Sequence, residues 1–389
     1  MNSRQTSPVL LISAIVLALA GCDDFKRQDS HAPATATPVT SAQPQTATPD
    51  IVPPSPALAT PVAPPVLATA PVPVLGAVAS ASPEAQAIEA SAYAAALAPD
   101  AKRRLLIKVQ VLLDRANFSP GVIDGRDGSN MRNALAAFEQ AHGLAADGAV
   151  NAAAETALTE ADPGPVTQDY VLTADDVKGP FLGTVPTTME ALSKLTHIGY
   201  ATAAEGLAEK FHMDEALLRA LNPGADFTVA GTSVVVVRPN AGALAAQVAR
   251  IEVDKTSNQV RAFDAGGKIV AVFPATVGST ERPAPSGDWA VRTVAPNPTY
   301  GYDPTRLTFG DTKGGKLTIA AGPNNPVGAA WIDLTKDTFG IHGSPDPTKI
   351  GKAASHGCVR LTNWDVIALS RAVKHGTVVS FVGAETRKS

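Results

Sequence analysis

The chain has 389 residues, a formal net charge of -4, 45% hydrophobic residues and only two cysteines. Because a single core rarely grows beyond about 250 to 300 residues, this length predicts several domains. The slightly acidic balance argues against nucleic acid as a partner, and two cysteines cannot form a four-cysteine zinc site or a disulfide framework. The 32 prolines and the 5% of aromatic residues indicate that part of the chain cannot bury a core.

Residues 1–22 resemble the signal peptide of a bacterial lipoprotein. Arg4 precedes an apolar run, Val9 to Ala20, which is shorter than the roughly 20 residues that cross a membrane. The run leads into Gly21 and Cys22 in a sequence similar to a lipobox, so the resemblance implies cleavage before Cys22 and acylation of its thiol. Several acyl chains would anchor the protein to a membrane in the periplasm. Asp23 directly follows Cys22, as the acidic residue does in the enteric signals for retention at the inner membrane, so the resemblance favours the inner membrane.

Residues 23–100 have the composition of a linker. The stretch from His31 to Pro83 contains thirteen of the 32 prolines, and Asp50 is its only Asp, Glu, Lys or Arg. A segment rich in Ala, Pro and Thr stays extended and solvated, often as polyproline II. We therefore predict a disordered tether between the anchor and the folded domains.

Residues 101–160 return to a helical pattern. Apolar residues recur at three- and four-residue spacing in two stripes, which consist of Leu105, Leu106, Val109, Leu112 and Leu113, and of Ala134, Leu135 and Phe138. Together with the turns at Asp124-Gly125 and Asp147-Gly148, this pattern resembles the small three-helix peptidoglycan-binding domain. The matching positions are helix stripes and turns, so they specify a fold better than a ligand. A spacer bundle that binds nothing remains an alternative.

Residues 161–240 predict a small α+β segment. Two short helical stretches, Ala203 to Phe211 and Leu217 to Gly224, precede a β-branched strand from Ser233 to Val237. This order is similar to that of the LysM-related segments found before some periplasmic catalytic domains. The sequence leaves two roles open for it, contact with glycan and positioning of the next domain.

Residues 248–384 change to strands and turns. Ile251 to Asp254 and Gln259 to Phe263 flank a short polar turn, as in an antiparallel hairpin. All three tryptophans, Trp289, Trp331 and Trp364, lie in this last third of the chain. Because tryptophan buries a large apolar area, we expect the largest core of the protein here.

Two short motifs in this region contain the reactive side chains. Ile341-His342-Gly343-Ser344 is followed, thirteen residues after His342, by Ser355-His356-Gly357-Cys358-Val359-Arg360-Leu361. In an extended strand, His356, Cys358 and Arg360 would share one face. Either histidine could accept the thiol proton, and the Arg360 charge would favour a thiolate. Gly343 and Gly357 could leave backbone amides accessible for an oxyanion.

Each residue taken alone also has a structural explanation. An isolated cysteine is usually a small buried hydrophobe, and an isolated histidine or arginine usually packs or pairs. A zinc ion held by His342, His356 and Cys358 is a further alternative, although the sequence offers no obvious fourth ligand. If Cys22 is acylated, however, Cys358 has no cysteine partner in the chain. An unpaired thiol in an oxidising compartment is a liability unless its chemistry is needed.

Together the two motifs resemble the signature of the L,D-transpeptidase catalytic domain of the YkuD family. The resemblance implies a mainly-β domain of β-sandwich type at 248–384. It makes Cys358 the nucleophile and His342 the proton acceptor and donor. It further implies that a backbone carbonyl at Gly343 or Ser344 orients the imidazole. His356, Arg360 and the backbone around Gly357 would then shape the region that binds the oxyanion and the substrate carboxylate.

The resemblance also implies a reaction. The Cys358 thiol would attack the carbonyl of the third residue of a peptidoglycan tetrapeptide stem, release D-alanine and leave a thioester, which an amine on a second stem would resolve. Hydrolysis of the thioester by water would make the protein an L,D-carboxypeptidase, and transfer to a protein lysine is a third outcome. A wall-binding lipoprotein without catalysis is the non-enzyme alternative. No metal or nucleotide cofactor is expected, the partners are stem peptides, glycan and a membrane, and the sequence identifies no cell-wall synthase as a partner.

Overall fold

The computed structural model describes residues 80–278, 283–304, 315–352 and 357–384, and the structural statements below concern these residues. The predicted signal peptide with Cys22, the residue Asp23, most of the predicted linker, and Ser355 with His356 lie outside them. Among the described helices, none combines the length and apolar character needed to cross a bilayer.

The described part of the chain is helical at first and then mainly β. Its α-helices are α1 Pro83–Glu89, α2 Pro99–Arg115, α3 Ser129–Ala141, α4 Ala152–Ala161, α5 Ala174–Val177, α6 Met189–Leu192, α7 Ala203–Lys210, α8 Glu215–Leu221 and α9 Asn363–Ala372. Its strands are β1 Thr167–Val171, β2 Ser233–Val237, β3 Arg250–Asp254, β4 Gln259–Phe263, β5 Ile269–Pro274, β6 Thr276–Val277, β7 Gly287–Pro296, β8 Tyr300–Tyr302, β9 Leu317–Ile319, β10 Ala330–Leu334, β11 Gly340–His342, β12 Val359–Arg360 and β13 Val378–Val382.

The folded part begins before residue 101, which corrects the predicted linker boundary. Helix α1 lies within residues 23–100, starts with Pro83 in its first turn and buries Ala85 and Ile88. Glu89 at its end accepts hydrogen bonds from the backbone amides of Val166 and Thr167. A seven-residue helix is marginal alone. Its burial against the following domain stabilises it, and the alanine-rich composition of the linker concealed that contact.

The two accessory modules share one apolar core. Helices α2, α3 and α4 form the three-helix unit expected for 101–160, with the predicted stripes buried. In the second module, β1 pairs with β2 in antiparallel register, and α7 and α8 lie between these strands in the sequence. Side chains of both modules, such as Phe138 and Leu218, belong to a single cluster of buried residues that extends to Val272 of β5. The boundary at residue 160 therefore does not separate two cores.

Residues 178–201, which we call the insertion, lie between β1 and α7 and contact the C-terminal domain, residues 248–384. Leu192 and Ile198 of the insertion pack against Ile319 of β9, with Tyr300 of β8 beside them. The backbone amide of Ile198 donates to the carbonyl of Ala321 at 3.0 Å. The insertion therefore supports the hairpin formed by β8 and β9.

The C-terminal domain is built on a nine-stranded sheet in the order β5-β4-β3-β13-β7-β10-β11-β12-β6. The hairpin expected from its sequence forms, since β3 and β4 pair in antiparallel register. The ten-residue strand β7 joins two halves of the sheet: its first part pairs with β13 and its last part with β10. Buried side chains of both halves, Val253 and Ile341 among them, form one core with α9.

The expectation that this domain holds the largest core is wrong. The larger buried cluster is the one shared by the two accessory modules, which is made mostly of Leu, Val and Ala side chains. The tryptophans lie at the edges of the core of the C-terminal domain instead. Trp331 stacks on His342, Trp364 stacks on His212 of the second module, and Trp289 is only partly buried.

A polar cluster joins the three modules. His212, at the end of α7, approaches the carboxylate of Asp114 in α2 at 3.1 Å. The hydroxyl of Ser119 donates to Asp365 of α9 at 3.0 Å. These side chains line a small pocket together with Trp364. Carboxylates from two modules therefore meet beside one imidazole in a largely buried place.

Candidate active site

The nine-stranded sheet brings the two predicted motifs side by side. Strands β11 and β12 pair in parallel, with His342 opposite Arg360. On the other side of β11, β10 pairs antiparallel and places Trp331 opposite His342. The two rings stack with centroids 5.3 Å apart and an interplanar angle of 19°. Trp331, His342 and Arg360 therefore form one row across three neighbouring strands.

His342 is held as a neutral base. Its Nδ1 lies 2.7 Å from the carbonyl oxygen of Gly343, and a carbonyl can only accept, so Nδ1 carries the hydrogen and Nε2 is the proton-accepting nitrogen. Burial, with the nearby Arg360 charge, lowers the pKa of His342 to about 4, although the Gly343 hydrogen bond opposes this. The imidazole is consequently uncharged at neutral pH.

The Gly343 backbone packs tightly against α9. A Cβ added at Gly343 would overlap Oδ1 of Asn363, so only glycine fits there. The Gly343 amide donates to Ala330 at 3.2 Å, which corrects the expectation that it is open to an oxyanion. The hydroxyl of Ser344 donates to the carbonyl of Asp346 at 3.2 Å and closes a turn. The carbonyl that orients the imidazole is therefore that of Gly343.

Cys358 follows a turn that requires glycine. Gly357 has φ +114°, and a Cβ there would lie 2.9 Å from Cε1 of Phe339. The Cys358 thiol is 3.6 Å from the carbonyl oxygen of Thr338. Burial raises the pKa of Cys358, while a hydrogen bond from the Gly340 backbone and the Arg360 charge act in the opposite direction. Arg360 thus favours the thiolate, as expected from the sequence, but burial outweighs it and the resting group is a thiol.

The alternation expected around Cys358 is observed from that residue onward. Val359 and Leu361 are buried, and Cys358 and Arg360 are partly exposed. Gly357 has a positive φ, and His356 lies outside the described residues. The proposed role of His356 stays a prediction.

Sequence reasoning missed one residue of the site and misread another. Tyr300 of β8 lies near the reactive thiol: burial raises its pKa, and the Cys358 charge adds to this shift. Trp331 was expected only to fill a core. No local pattern marks Tyr300, because its hairpin reaches the site through tertiary packing. The pairing of Trp331 with His342 is readable only once β10 and β11 are in register.

The arrangement suits acyl transfer. Burial also lowers the pKa of Arg360, whose guanidinium is close to Cys358 and Tyr300, and it remains a cation in this partly buried site. A neutral base, a thiol and a fixed cation can serve proton transfer, nucleophilic attack and carboxylate binding, respectively. In the part of the chain that the structure describes, no three His, Cys, Asp or Glu side chains are grouped closely enough to hold a metal ion.

Two family models match the chain. Residues 248–380 match the model described as "L,D-transpeptidase catalytic domain", which covers the site. Residues 103–158 match the "Putative peptidoglycan binding domain", which covers most of α2, together with α3 and most of α4. The first match covers the whole described sheet of the catalytic domain except the end of β13.

Relatives with related names align over the same region. The protein "Putative L,D-transpeptidase YkuD" of Bacillus licheniformis is 29% identical over 176 residues, which are 45% of this chain and 91% of that protein. "Putative L,D-transpeptidase YqjB" of Bacillus subtilis is 32% identical over 133 residues, which are 33% of this chain and 67% of that protein. A solved L,D-transpeptidase from Mycobacterium smegmatis is 19% identical with a TM-score of 0.29, over 39% of this chain and 63% of that one. From the catalytic-domain match and the Bacillus relatives, the chain belongs to the L,D-transpeptidase family.

Proposed function

We propose that the protein forms a thioester between Cys358 and the third residue of a peptidoglycan tetrapeptide stem and transfers that acyl group to an amine on a second stem. The observation that carries this proposal is the hydrogen bond from His342 Nδ1 to Gly343, which leaves Nε2 as the base in the row that contains Arg360. The match of residues 103–158 to a peptidoglycan-binding domain supports the same substrate.

In the acylation step, the Cys358 sulfur attacks the stem carbonyl while His342 Nε2 takes the thiol proton. Because the resting pair is thiol and neutral imidazole, attack and proton transfer are coupled. Arg360 supplies positive charge for the substrate carboxylate, and the oxyanion is assigned to the backbone around Gly357 and Cys358 by family resemblance. The imidazolium then protonates the leaving amine, the carbon–nitrogen bond breaks, and D-alanine departs from the thioester.

In the second step, an acceptor amine attacks the thioester. His342 takes a proton from this amine and returns it to the departing Cys358 sulfur, so an amide forms and the thiol is restored. Water in place of the amine would give the carboxypeptidase reaction. The Trp331 ring stacks on His342, and Tyr300 is close enough to Cys358 for the charges of the two groups to interact.

The first residues of the chain support a proposal about its location. We infer acylation of Cys22, retention in the periplasm at a membrane, and a tether that lets the folded modules reach the wall. The lipobox-like sequence before Cys22 supports this inference. The second module, residues 161–240, is assigned to glycan contact or positioning by its strand and helix order, which is similar to that of LysM-related segments.

The decisive experiment is incubation of the purified protein with a defined tetrapeptide muropeptide, followed by intact-protein and product mass spectrometry. We expect a mass increase on Cys358 with release of D-alanine, no adduct in Cys358→Ala, and a cross-linked dimer when an acceptor stem is present. Circular dichroism of Cys358→Ala serves as the folding control. Full turnover by Cys358→Ala would contradict the proposal, and a tripeptide product that persists with excess acceptor would indicate the carboxypeptidase instead.

Anchoring is tested separately. Cells that express the full chain are fed a radiolabelled fatty acid, and the protein is recovered from membrane and soluble fractions. We expect label and membrane association in the parent and neither in Cys22→Ala, while activity of the solubilised variant persists. Labelling of Cys22→Ala at the parent level would refute the anchor.

A further inference from the structure

A carboxylate of the second accessory module contacts the catalytic domain behind the active site. Glu209 lies near the end of α7, and its Oε1 accepts a hydrogen bond from Nδ2 of Asn363 at 2.9 Å. The hydroxyl of Tyr200 donates to the same oxygen at 3.2 Å. Glu209 and Asn363 are 154 residues apart in sequence, so this contact exists only in the folded chain.

Asn363 is the second member of this arrangement. It begins α9, and only 1% of its surface is exposed. Its Nδ2 donates to Glu209 and to the carbonyl of Pro323 at 3.1 Å, and its Oδ1 accepts from the Ala329 amide at 2.9 Å. The two ends of the amide are therefore not interchangeable: reversing it would set an N–H donor against the Ala329 N–H.

The same amide fixes the backbone that orients the base. Oδ1 of Asn363 packs against Gly343 so closely that a Cβ at Gly343 would overlap it. The carbonyl of Gly343 accepts the hydrogen bond from Nδ1 of His342 at 2.7 Å. A continuous series of contacts thus runs from Glu209 through Asn363 and Gly343 to the imidazole.

A second hydrogen bond joins α7 to the catalytic domain. The carboxylate of Glu205, one turn earlier on α7, accepts from Nδ2 of Asn324 at 2.8 Å. The backbone amide of Asn324 donates to the carbonyl of Ile198 at 3.1 Å. Helix α7 therefore presents two acceptors, one to the loop before β10 and one to Asn363.

Removing the Glu209 carboxylate would leave one hydrogen of the buried Asn363 side-chain amide without an acceptor. An unpaired buried donor costs about 1 to 3 kcal/mol, and the amide can recover part of this only by rotating. Rotation would withdraw Oδ1 from Ala329 and from the Gly343 backbone. Misplacement of a catalytic base by about 1 Å can cost about a hundredfold in rate.

We propose that Glu209 is a positioning residue for His342, acting through Asn363 and Gly343, so that the second accessory module completes the active site of the catalytic domain. This inference rests on the proposed acyl transfer for its kinetic readout. It assigns to residues 161–240 a role in catalysis in addition to any contact with glycan.

The test compares variants of the full chain. Glu209→Ala and Glu209→Met remove the acceptor, the second with little change in volume, and Glu209→Gln keeps an acceptor for Asn363. We expect the first two to lower the maximal acylation rate about ten- to a hundredfold with little change in KM, and Glu209→Gln to stay close to the parent. Glu89→Ala is the matched control, because Glu89 is also partly buried, and the hydrogen bonds that it accepts from described residues come from β1 and the residue before it.

A second readout does not depend on the peptidoglycan substrate. The rate at which iodoacetamide alkylates Cys358, followed by peptide mass spectrometry, reports how well His342 accepts the thiol proton. It should fall in Glu209→Ala and Glu209→Met and recover in Glu209→Gln. The alkylation rates can follow this order across the parent and the variants while the parent forms no acyl-enzyme. In that case the proposed function fails and the positioning role stands.

A double-mutant cycle separates positioning from general destabilisation. If Glu209 acts through Asn363, Glu209→Ala should add little to the rate loss of Asn363→Ala, whereas independent effects would multiply. Parent-like rates in both Glu209→Ala and Glu209→Met would overturn the inference. An equal loss in Glu209→Gln, or multiplicative losses in the cycle, would do the same.

Discussion

His342 and Cys358 reach their resting states through burial, which acts on them in opposite ways. Loss of solvent disfavours the imidazolium and lowers the pKa of His342, and it disfavours the thiolate and raises the pKa of Cys358. The Arg360 charge assists the first shift and opposes the second. The pair is therefore neutral at rest and ionises only as the thiol attacks, in contrast to a preformed thiolate–imidazolium pair.

This state predicts an unusual pH profile for acylation. Because His342 has a pKa of about 4, it can accept a proton above that value, so kcat/KM for acylation should stay level between about pH 5 and about pH 7 and fall only below. The thiolate absorbance at neutral pH should be absent in the parent, as in Cys358→Ala. Removing the nearby charge in Arg360→Gln should move the acid limb upward. An acid limb at about 6.5, the ordinary value for histidine, would contradict this prediction.

Short elements of this protein depend on neighbours from other modules. The strands β8 and β9 have three residues each, too few to be stable as an isolated hairpin. Ile198 of the insertion, which is fully buried, packs against Ile319 of β9. Because Tyr300 begins β8 and interacts electrostatically with Cys358, the insertion supports the strand that carries this tyrosine.

Truncation of Ile198 should therefore loosen the hairpin. Ile198→Ala removes buried volume at a cost of about 2 to 5 kcal/mol. We expect faster amide hydrogen exchange in β8 and β9 and a higher KM, with exchange in β3 and β4 unchanged. Leu217→Ala, an equally buried truncation in the accessory core, is the control and should leave exchange in the hairpin at the parent rate. If both variants accelerate amide exchange in β8 and β9 equally, the insertion does not specifically stabilise the hairpin.

At the scale of the whole molecule, the three modules meet around carboxyl groups whose ionised form is disfavoured by burial. Burial raises the pKa of Asp365 to about 7, with Asp114 adding to the shift and with hydrogen bonds from Thr362 and Ser119 and the His212 charge opposing it. Burial likewise raises the pKa of Glu209 to about 7. These groups hold protons in the folded protein at pH values where the unfolded chain has lost them.

These two carboxyls should consequently lower stability as the pH rises from about 4 to about 7, and their effect should level off above. His342, whose pKa is lowered to about 4, acts in the opposite direction below about pH 6.5, so the net fall comes from two carboxyls against one imidazole. One such carboxyl contributes at most about 1.4 kcal/mol per pH unit. Asp365→Asn, which keeps an acceptor for Ser119, should flatten this dependence in urea unfolding and make the protein more stable near neutral pH. Asp254→Asn is the control: Asp254 is partly buried, but hydrogen bonds from Ser257 and Thr256 hold its pKa below the usual range, so its titration ends before this window. If Asp365→Asn has the same pH dependence of the unfolding free energy as the parent, the raised pKa of Asp365 is contradicted.

Local sequence was sufficient for much of this protein. The helical stripes, the β3–β4 hairpin and the motif with His342, Cys358 and Arg360 are properties of short stretches, because side-chain period and turn chemistry are local. The catalytic-domain family and the peptidoglycan-binding domain also follow from such motifs. The requirement for glycine at 343 and 357 is partly local, since the motif includes both.

The tertiary structure decided what depends on distant residues. The fusion of the accessory cores, the burial of α1, the approach of Tyr300 and the contact between Glu209 and Asn363 all join parts of the chain far apart in sequence. The resting charge of Cys358 belongs here too, because desolvation depends on everything packed around the thiol. Sequence alone thus predicted which groups carry the chemistry, because the motif is local, and the folded chain determined their protonation and what holds them in place.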